Sequence, residues 1–502
     1  MSRSSLRLQN GERAELKDVP LLSLREFHGD LLCDIRQGGR LASLFGHPVG
    51  DGVRLFAVTA HGDTGELSVS SADAGDSYPS LTPDCPQAHW FEREIAEQWG
   101  ARPEGHPWLK PIRFHRPYRG GLPSDGGPLP AGVTDYFQVQ GDGIHEVAVG
   151  PVHAGVIEPG HFRFQCHGED VFHLEISLGY QHRGIERALV GGPGPRSIHL
   201  METAAGDTSV AHATAYSWAI EALSNRRSPA RGSVLRGIAL ELERLANHTG
   251  DLGALGGDVG FLPTASFCGR LRGDFLNLTA LACGSRFGRG WMRPGGAAFD
   301  LEAPRAAELL ERLGQAMSDV GNAVGMLLGS PSVLARFEET GVVSKASAEA
   351  LGLVGVAARA CGLERDVRFE FPAGIFRMTH IPVSTWESGD VFARAQVRWL
   401  EIQRSAAFIA EQLVALPEGP IRSEPAAGLE PESLAVAMVE GWRGEVCHVA
   451  LTDAAGRLAR YKVVDPSFHN WMGLALALRD QQISDFPLCN KSFSLSYCGH
   501  DL

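Results

Sequence analysis

A chain of 502 residues is longer than one hydrophobic core supports, so at least two structural units are expected. Hydrophobic residues at 44% and charged residues at 21% exclude a disordered or fibrous protein. The formal net charge of -13 leaves no broad basic surface to neutralise phosphates, which argues against a nucleic-acid partner.

The N-terminal stretch MSRSSLRLQNGERAEL has no apolar signal core, and no run approaches the roughly 20 apolar residues of a membrane-spanning helix. The expected location is cytoplasmic, with any membrane attachment made through a partner. Residues 53–58 have strand character and residues 88–98 helical character, predicting a small α+β domain over residues 1–118. Residues 119–133, RGGLPSDGGPLPAGV, are dense in Gly and Pro and predict a linker. Strand-like pieces follow at 145–149, 162–165 and 171–176. The spacing of Val234, Leu235, Ile238, Leu242 and Leu245 predicts a helix, as do residues 303–328, 347–361 and 390–416. Two late strands are predicted at 445–451 and 459–464. The fold class is α+β: a small N-terminal α+β domain, then over residues 134–502 a mainly α-helical bundle domain with small flanking β-sheets.

The nine cysteines form no C-x-x-C pair, which argues against a disulfide framework and against closely spaced zinc or iron–sulfur ligands. An electron-transfer cluster serving this protein is expected in another chain. Cys489 and Cys498 with His500 are too loosely spaced for shared ligation, so the thiols read as small apolar groups. Alternation along a strand puts Cys166 and His167 on opposite faces, which tells against a site with His161.

The string YPSLTPDCPQAHWFEREIAEQWG is followed by GHPWLK, giving Trp90, Glu92, Arg93 and Glu94, then Gly105, His106 and Pro107. Taken singly these describe a salt-bridged helix face and a turn. As an ordered set they resemble the 30 kDa subunit of respiratory complex I. Further on come GPVHAGVIEPGHFRF from Gly150, LGYQHRGIE from Leu178, LELERLANH from Leu240, GRGWMRPGG from Gly288, GDVFARAQVRWLEIQRS from Gly389 and DPSFHNW from Asp465. Their order resembles the complex I 49 kDa subunit and the nickel–iron hydrogenase large subunit along nearly the whole second unit. Fusion of the two units resembles the formate hydrogenlyase and hydrogenase-4 branch.

The resemblance implies particular ligands. Nickel–iron large subunits hold their metals with thiolates from R-x-C-G-x-C-x-x-x-H and D-P-C-x-x-C, soft donors suited to those metals. Here the first motif reads TAAGDTSVAH, with Ala205 and Thr208 at the cysteine positions and Gly206 and His212 matching. The second reads SLSYCG, with Ser496 and Gly499 at the cysteine positions and Cys498 one residue out of register, expected to point elsewhere. The ending His500, Asp501, Leu502 reads as lacking the removable extension used for metal insertion. No nickel–iron centre, and no other cofactor held by this chain, is expected.

In complex I the same scaffold reduces quinone, with a His in a G-P-x-H-P turn and a Tyr supplying hydrogen bonds and protons. His153 matches the His; the Tyr position falls on Gly206, leaving Tyr180 or Tyr216 as stand-ins, and the spacing from His153 to Arg163 is hydrogenase-like. His182, Arg183 and Glu186 match the family segment whose Glu lies beside the metal site and passes protons in hydrogenases. Asp207 and His212 join that neighbourhood. The candidate set is therefore His153, His182, Arg183, Glu186, Asp207 and His212, able to relay protons if burial brings their pKa values toward neutrality. The plainer alternative is that these groups only bond one another and fill the space left by the metals.

The expected function is that of a peripheral-arm large subunit in a membrane-bound, hydrogenase-4-like oxidoreductase. It would dock to an iron–sulfur small subunit and to membrane proton-pump-like subunits, and would handle a proton-coupled redox substrate, a quinone being one candidate. The alternative is a structural coupling subunit that has lost redox chemistry. A soluble hydrolase is disfavoured by the absence of G-x-S-x-G, H-E-x-x-H and a Gly-Lys phosphate loop.

Overall fold

The computed structural model describes residues 5–119, 131–154 and 157–502. The linker expected at 119–133 falls almost wholly outside the described residues. The strand expected at 53–58 is the middle of Gly52–His61, which pairs antiparallel with Arg40–Val49 on one side and Glu66–Ala74 on the other. Leu6–Leu8 adds an antiparallel edge to Glu66–Ala74, and Leu21–Leu22 pairs parallel with the same strand.

Helix His89–Trp99 buries Trp90, Phe91, Ile95 and Trp99, but also Glu92, Arg93 and Glu94. The E-R-E triplet is therefore no solvated face. The Glu92 carboxylate organises residues 80–82, accepting from Ser80 Oγ and Thr82 Oγ1 at 2.6 Å each and from the Leu81 amide at 2.8 Å. Arg93 donates to the carbonyls of Lys110 and Pro111 at 2.8 and 3.0 Å. Glu94 points into the second unit.

There, Ile144–Val149, His161–His167 and Asp170–Ser177 form a three-stranded antiparallel sheet with His161–His167 in the middle. Long helices Ala230–Asp258, Leu262–Cys283, Ala303–Leu328 and Val391–Val414 pack as the bundle. Leu262–Cys283 was not legible because Gly269 and Gly273 interrupt its apolar spacing. The helix predicted at 347–361 is broken into Lys345–Leu351 and Gly355–Arg359. Gly355 has φ 63°, and a Cβ there would lie 2.0 Å from the Arg443 carbonyl, so the break admits the backbone of residues 443–444.

The late hairpin is longer than its sequence suggests. Ser433–Glu440, Glu445–Thr452 and Leu458–Val464 form successive antiparallel strands, the first two buried at every residue. The N-terminal strand Arg13–Glu15 pairs with residues 433–435 as the fourth member, so the two units share a sheet. Helix Ser209–Leu223 lies across this sheet, and helices Pro466–Ala477, Phe486–Phe493 and Tyr497–Asp501 complete the fold. Among the described residues no helix is long and apolar enough to cross a membrane.

The bundle core is charged. Arg244, fully buried, donates to Glu241 at 3.0 Å and Glu401 at 3.1 Å, while Arg359 donates to Glu401 and Glu440 at 2.9 and 2.8 Å. Arg244→Met removes the shared cation and leaves two carboxylates undercompensated. It is expected to destabilise the protein by about 3–5 kcal/mol, read as a lower urea midpoint.

Candidate functional site

A cavity of about 740 Å³ opens beside helix Ala230–Asp258, lined among others by His153, Glu158, Asp207, Trp442, Arg443 and Tyr497. One wall is the turn at residues 205–208, which leads into helix Ser209–Leu223. Glu243 receives the first amides of that helix, Val210 N at 2.7 Å and Ala211 N at 3.3 Å, supplying the acceptor its N-terminus needs. Asp207 and Arg443 form a bidentate pair, Nη1 to Oδ1 2.6 Å and Nη2 to Oδ2 2.7 Å. Burial opposes charge on Asp207, but the Arg443 guanidinium wins and holds the carboxyl below the usual carboxylate range. Arg443 also donates to Thr208 Oγ1 at 3.0 Å and to the Ser494 carbonyl.

The four positions that the resemblance assigns to thiolates are otherwise occupied. Ala205 has no donor atom. Thr208 bonds Arg443 and donates to Asp207 Oδ1 at 3.2 Å. Ser496 caps helix Tyr497–Asp501, its Oγ accepting from Gly499 N at 2.9 Å. At Gly499 a Cβ would lie 2.6 Å from the Asp465 carboxyl carbon, so an aspartate fills the space a fourth cysteine side chain needs. These residues do not fit a nickel–iron group. Cys498 does not turn away from the site as expected: its Sγ lies 3.4 Å from Ser496 Oγ, with Glu158 and the Gly206 backbone beside it. Burial pushes this thiol up to about 11, so it is protonated and a poor ligand.

The six candidate residues separate into four places. His153, half-buried, lines the cavity with Nε2 3.2 Å from the Gly160 carbonyl, and Asp207 lines it too. His212 lies behind the cavity, fully buried, with Nε2 3.0 Å from Asp465 Oδ2 and Nδ1 3.1 Å from His448 Nε2. Arg183 is a staple: Nη1 donates to the Thr203 carbonyl at 2.5 Å, and Nη2 to those of Ala204 at 2.8 Å and Cys498 at 3.2 Å.

His182 and Glu186 face the N-terminal unit instead. His182 stacks on His115 with ring centroids 4.7 Å apart and has Nδ1 2.8 Å from the Asp501 carbonyl. Glu186 lies 3.1 Å from Lys462 Nζ and 2.9 Å from Arg460 Nη1, and accepts from Val463 N at 3.0 Å. Burial opposes its charge, yet Lys462, Arg460 and Arg113 hold it strongly ionised. A carboxylate so fixed is a structural anion; the proton-passing role that the resemblance attaches to this Glu has no support in these surroundings. Neither Tyr180 nor Tyr216 lines the cavity; the tyrosine that does is Tyr497. Its signal was in SLSYCG itself, read there only for sulfur. Nothing in the sequence marks Arg443 or His448, nor links Asp465 of the DPSFHNW string to His212, since each acts across more than two hundred residues of chain.

The family comparisons agree with this architecture. The respiratory-chain NADH dehydrogenase 49 Kd subunit model matches residues 258–433, and the 30 Kd subunit model matches residues 53–126. Hydrogenase-4 component G of Escherichia coli is 29% identical over 440 residues, covering 84% of this chain and 75% of that protein. The carbon monoxide-induced hydrogenase of Rhodospirillum rubrum is 30% identical over 347 residues, 68% of this chain and 95% of that protein. An NADH-quinone oxidoreductase subunit of Carboxydothermus hydrogenoformans is 29% identical over 341 residues, 68% of this chain and 93% of that protein. The chain belongs to the family of complex I 49 kDa subunits and related hydrogenase large subunits, in the branch fused to a 30 kDa-like unit, and it lacks the nickel–iron cysteine ligands.

Two outcomes test the site geometry. Asp207 has a depressed pKa, so its contribution to stability is complete above the unfolded value of about 3.9 and is lost as pH falls through the lower folded value. Arg443→Met removes the depression, and acid unfolding followed by tryptophan fluorescence is expected at higher pH. Gly499→Cys is expected to cost about 1–3 kcal/mol by overpacking against Asp465, and Asp465→Ala in the same chain to restore part of the loss, as read by a double-mutant cycle.

Proposed function

We propose that this chain is the large subunit in the peripheral arm of a membrane-bound, complex I-related oxidoreductase of the hydrogenase-4 kind. Its cavity handles a quinone in proton-coupled electron transfer without nickel. The chain works as a subunit of an oxidoreductase assembly on the cytoplasmic side of the inner membrane. Electrons come from an iron–sulfur cluster in a small partner subunit, and membrane subunits related to proton pumps carry the arm.

The observation that supports the reading is the cavity of about 740 Å³, which keeps His153 on its wall while Asp465 fills the space of a metal ligand. Phe162, Phe486 and Trp442 give it an apolar side suited to a ring, and His153 supplies a hydrogen-bonding edge. A second reading, a coupling subunit without redox chemistry, is favoured by one fact: His182, Arg183, Glu186, Asp207 and His212 are all engaged by protein partners.

The test uses the intact complex. Elemental analysis is expected to find no stoichiometric nickel. With the complex reduced by dithionite, a short-chain ubiquinone is expected to reoxidise its iron–sulfur signal, and His153→Ala to slow that step at least ~10-fold. Nickel at one atom per chain, or no reaction with quinone, sinks the first reading; a normal rate in His153→Ala favours the second.

A further inference from the structure

Behind the cavity lies a line of polar side chains in which His212 and Asp465, each from a family string, are joined by His448 and Tyr461, which belong to none. Asp465 Oδ2 is 3.0 Å from His212 Nε2; His212 Nδ1 is 3.1 Å from His448 Nε2; His448 Nδ1 is 2.9 Å from Tyr461 Oη. His212, His448, Asp465 and Tyr461 have zero exposure, and they sit where helix Ser209–Leu223 crosses the late sheet. Tyr216 tilts against Tyr461 with ring centroids 6.0 Å apart, and its hydroxyl neighbours that of Ser197. Ser197 Oγ accepts from Gly194 N at 3.0 Å, in a turn whose residues 193–196 are exposed. At the other end Asp465 stands behind Arg443, which lines the cavity.

We propose that Tyr216, Tyr461, His448, His212 and Asp465 form a proton path from the surface turn at residues 193–196 to the cavity. The path rests on the proton-coupled reading of that cavity given above, and names its route.

The hydrogen bonds have one consistent order. Asp465 can only accept while ionised, and although burial opposes its charge, the bond from His212 keeps its carboxyl below the usual range. His212 must then carry its proton on Nε2 and accept at Nδ1. His448 in turn donates from Nε2 and accepts at Nδ1 from the Tyr461 hydroxyl. Burial, then the neighbouring His212, hold His448 neutral, and burial keeps Tyr461 protonated. Every proton therefore points toward the cavity. In one passage Tyr461 gives its proton to His448 Nδ1, His448 gives Nε2–H to His212 Nδ1, and His212 gives Nε2–H to Asp465. Tyr461 is reprotonated from the Tyr216 side as Asp465 releases its proton to the cavity. One proton enters and one leaves, no charge is stranded, and each imidazole is left as its other tautomer until it resets.

An imidazole N–H exchanges faster than a peptide amide even without a path, so the path is read from whether its own tyrosines control that exchange. Nitrogen-15 labelling of histidine in the full chain lets side-chain and backbone N–H exchange with deuterium oxide be compared in one sample. The expected result is that the Nε2–H protons of His212 and His448 exchange at least ten times faster than those residues' own backbone amides. Tyr461→Phe, and separately Tyr216→Phe, should slow this exchange at least tenfold while leaving backbone amide exchange unchanged. Side-chain protons as protected as the backbone, or exchange untouched by both substitutions, overturns the path. In the intact complex Tyr461→Phe should also slow quinone-driven reoxidation. Exchange controlled by these tyrosines in a complex that does not react with quinone would remove the quinone reading and keep the path.

Discussion

At the centre of the molecule Lys462 bridges two carboxylates that come from different units. Its ammonium lies 2.7 Å from both oxygens of Glu94 and 3.1 Å from Glu186, with no exposure to solvent. Arg113 pairs with Glu94 and donates to the His500 carbonyl at 2.9 Å, while Arg460 pairs with Glu186 and donates to Gln98 at 3.1 Å. Burying such a set costs several kcal/mol per ion before attraction is counted, so its net effect on stability is modest. Its effect on geometry is large, because each carboxylate is satisfied in only one arrangement. That arrangement ties the HRGIE turn, strand Leu458–Val464 and the C-terminal helix together; the strand carries Tyr461, pairs with the strand that carries His448, and leads directly into Asp465.

The same constraint explains the division of labour among polar residues. Glu186 is on the side governed by cations and is locked as an anion. Asp207, on the cavity side, has one guanidinium partner, and His153 meets the Gly160 carbonyl and the Phe162 ring. The positions that the resemblance assigns to thiolates are not a void. Asp465 occupies the space beside Gly499, Ser496 is a helix cap, and Thr208 helps to orient Arg443. The four positions thus carry a methyl group, a hydroxyl on Arg443, a helix cap and a bare glycine against the Asp465 carboxylate.

Much of the fold was legible where a single segment carries its own signal. Helix Ala303–Leu328 matches its predicted bounds, and helix Val391–Val414 and strands Ile144–Val149 and Glu445–Thr452 lie close to theirs. Those segments repeat apolar residues at one period over several turns or pairs. Strand Ser433–Glu440 was missed because burial on both faces erases alternation. Within the site, family motifs pointed to residues near the cavity but not to their partners. His448, Tyr461 and Arg443 belong to no matched string, and nothing local marks a histidine whose imidazole meets another 236 residues away. The E-R-E triplet shows the opposite failure: its pattern suits a wet helix face, and only the packed neighbour turns it into a buried anchor.

Strand Arg13–Glu15 finds its partners about 420 residues later in the chain, where Arg13 also reaches Ser433. Asn10 is tied to the same late strand, accepting from the Met438 amide and donating to its carbonyl. As the polypeptide leaves the ribosome, strand Arg13–Glu15 has an open edge until residues 433–438 have been made. The sheet of residues 6–74 can pair locally before then, but strand Arg13–Glu15 cannot, and a nascent chain stalled before residue 433 would present that bare β-edge to whatever it meets.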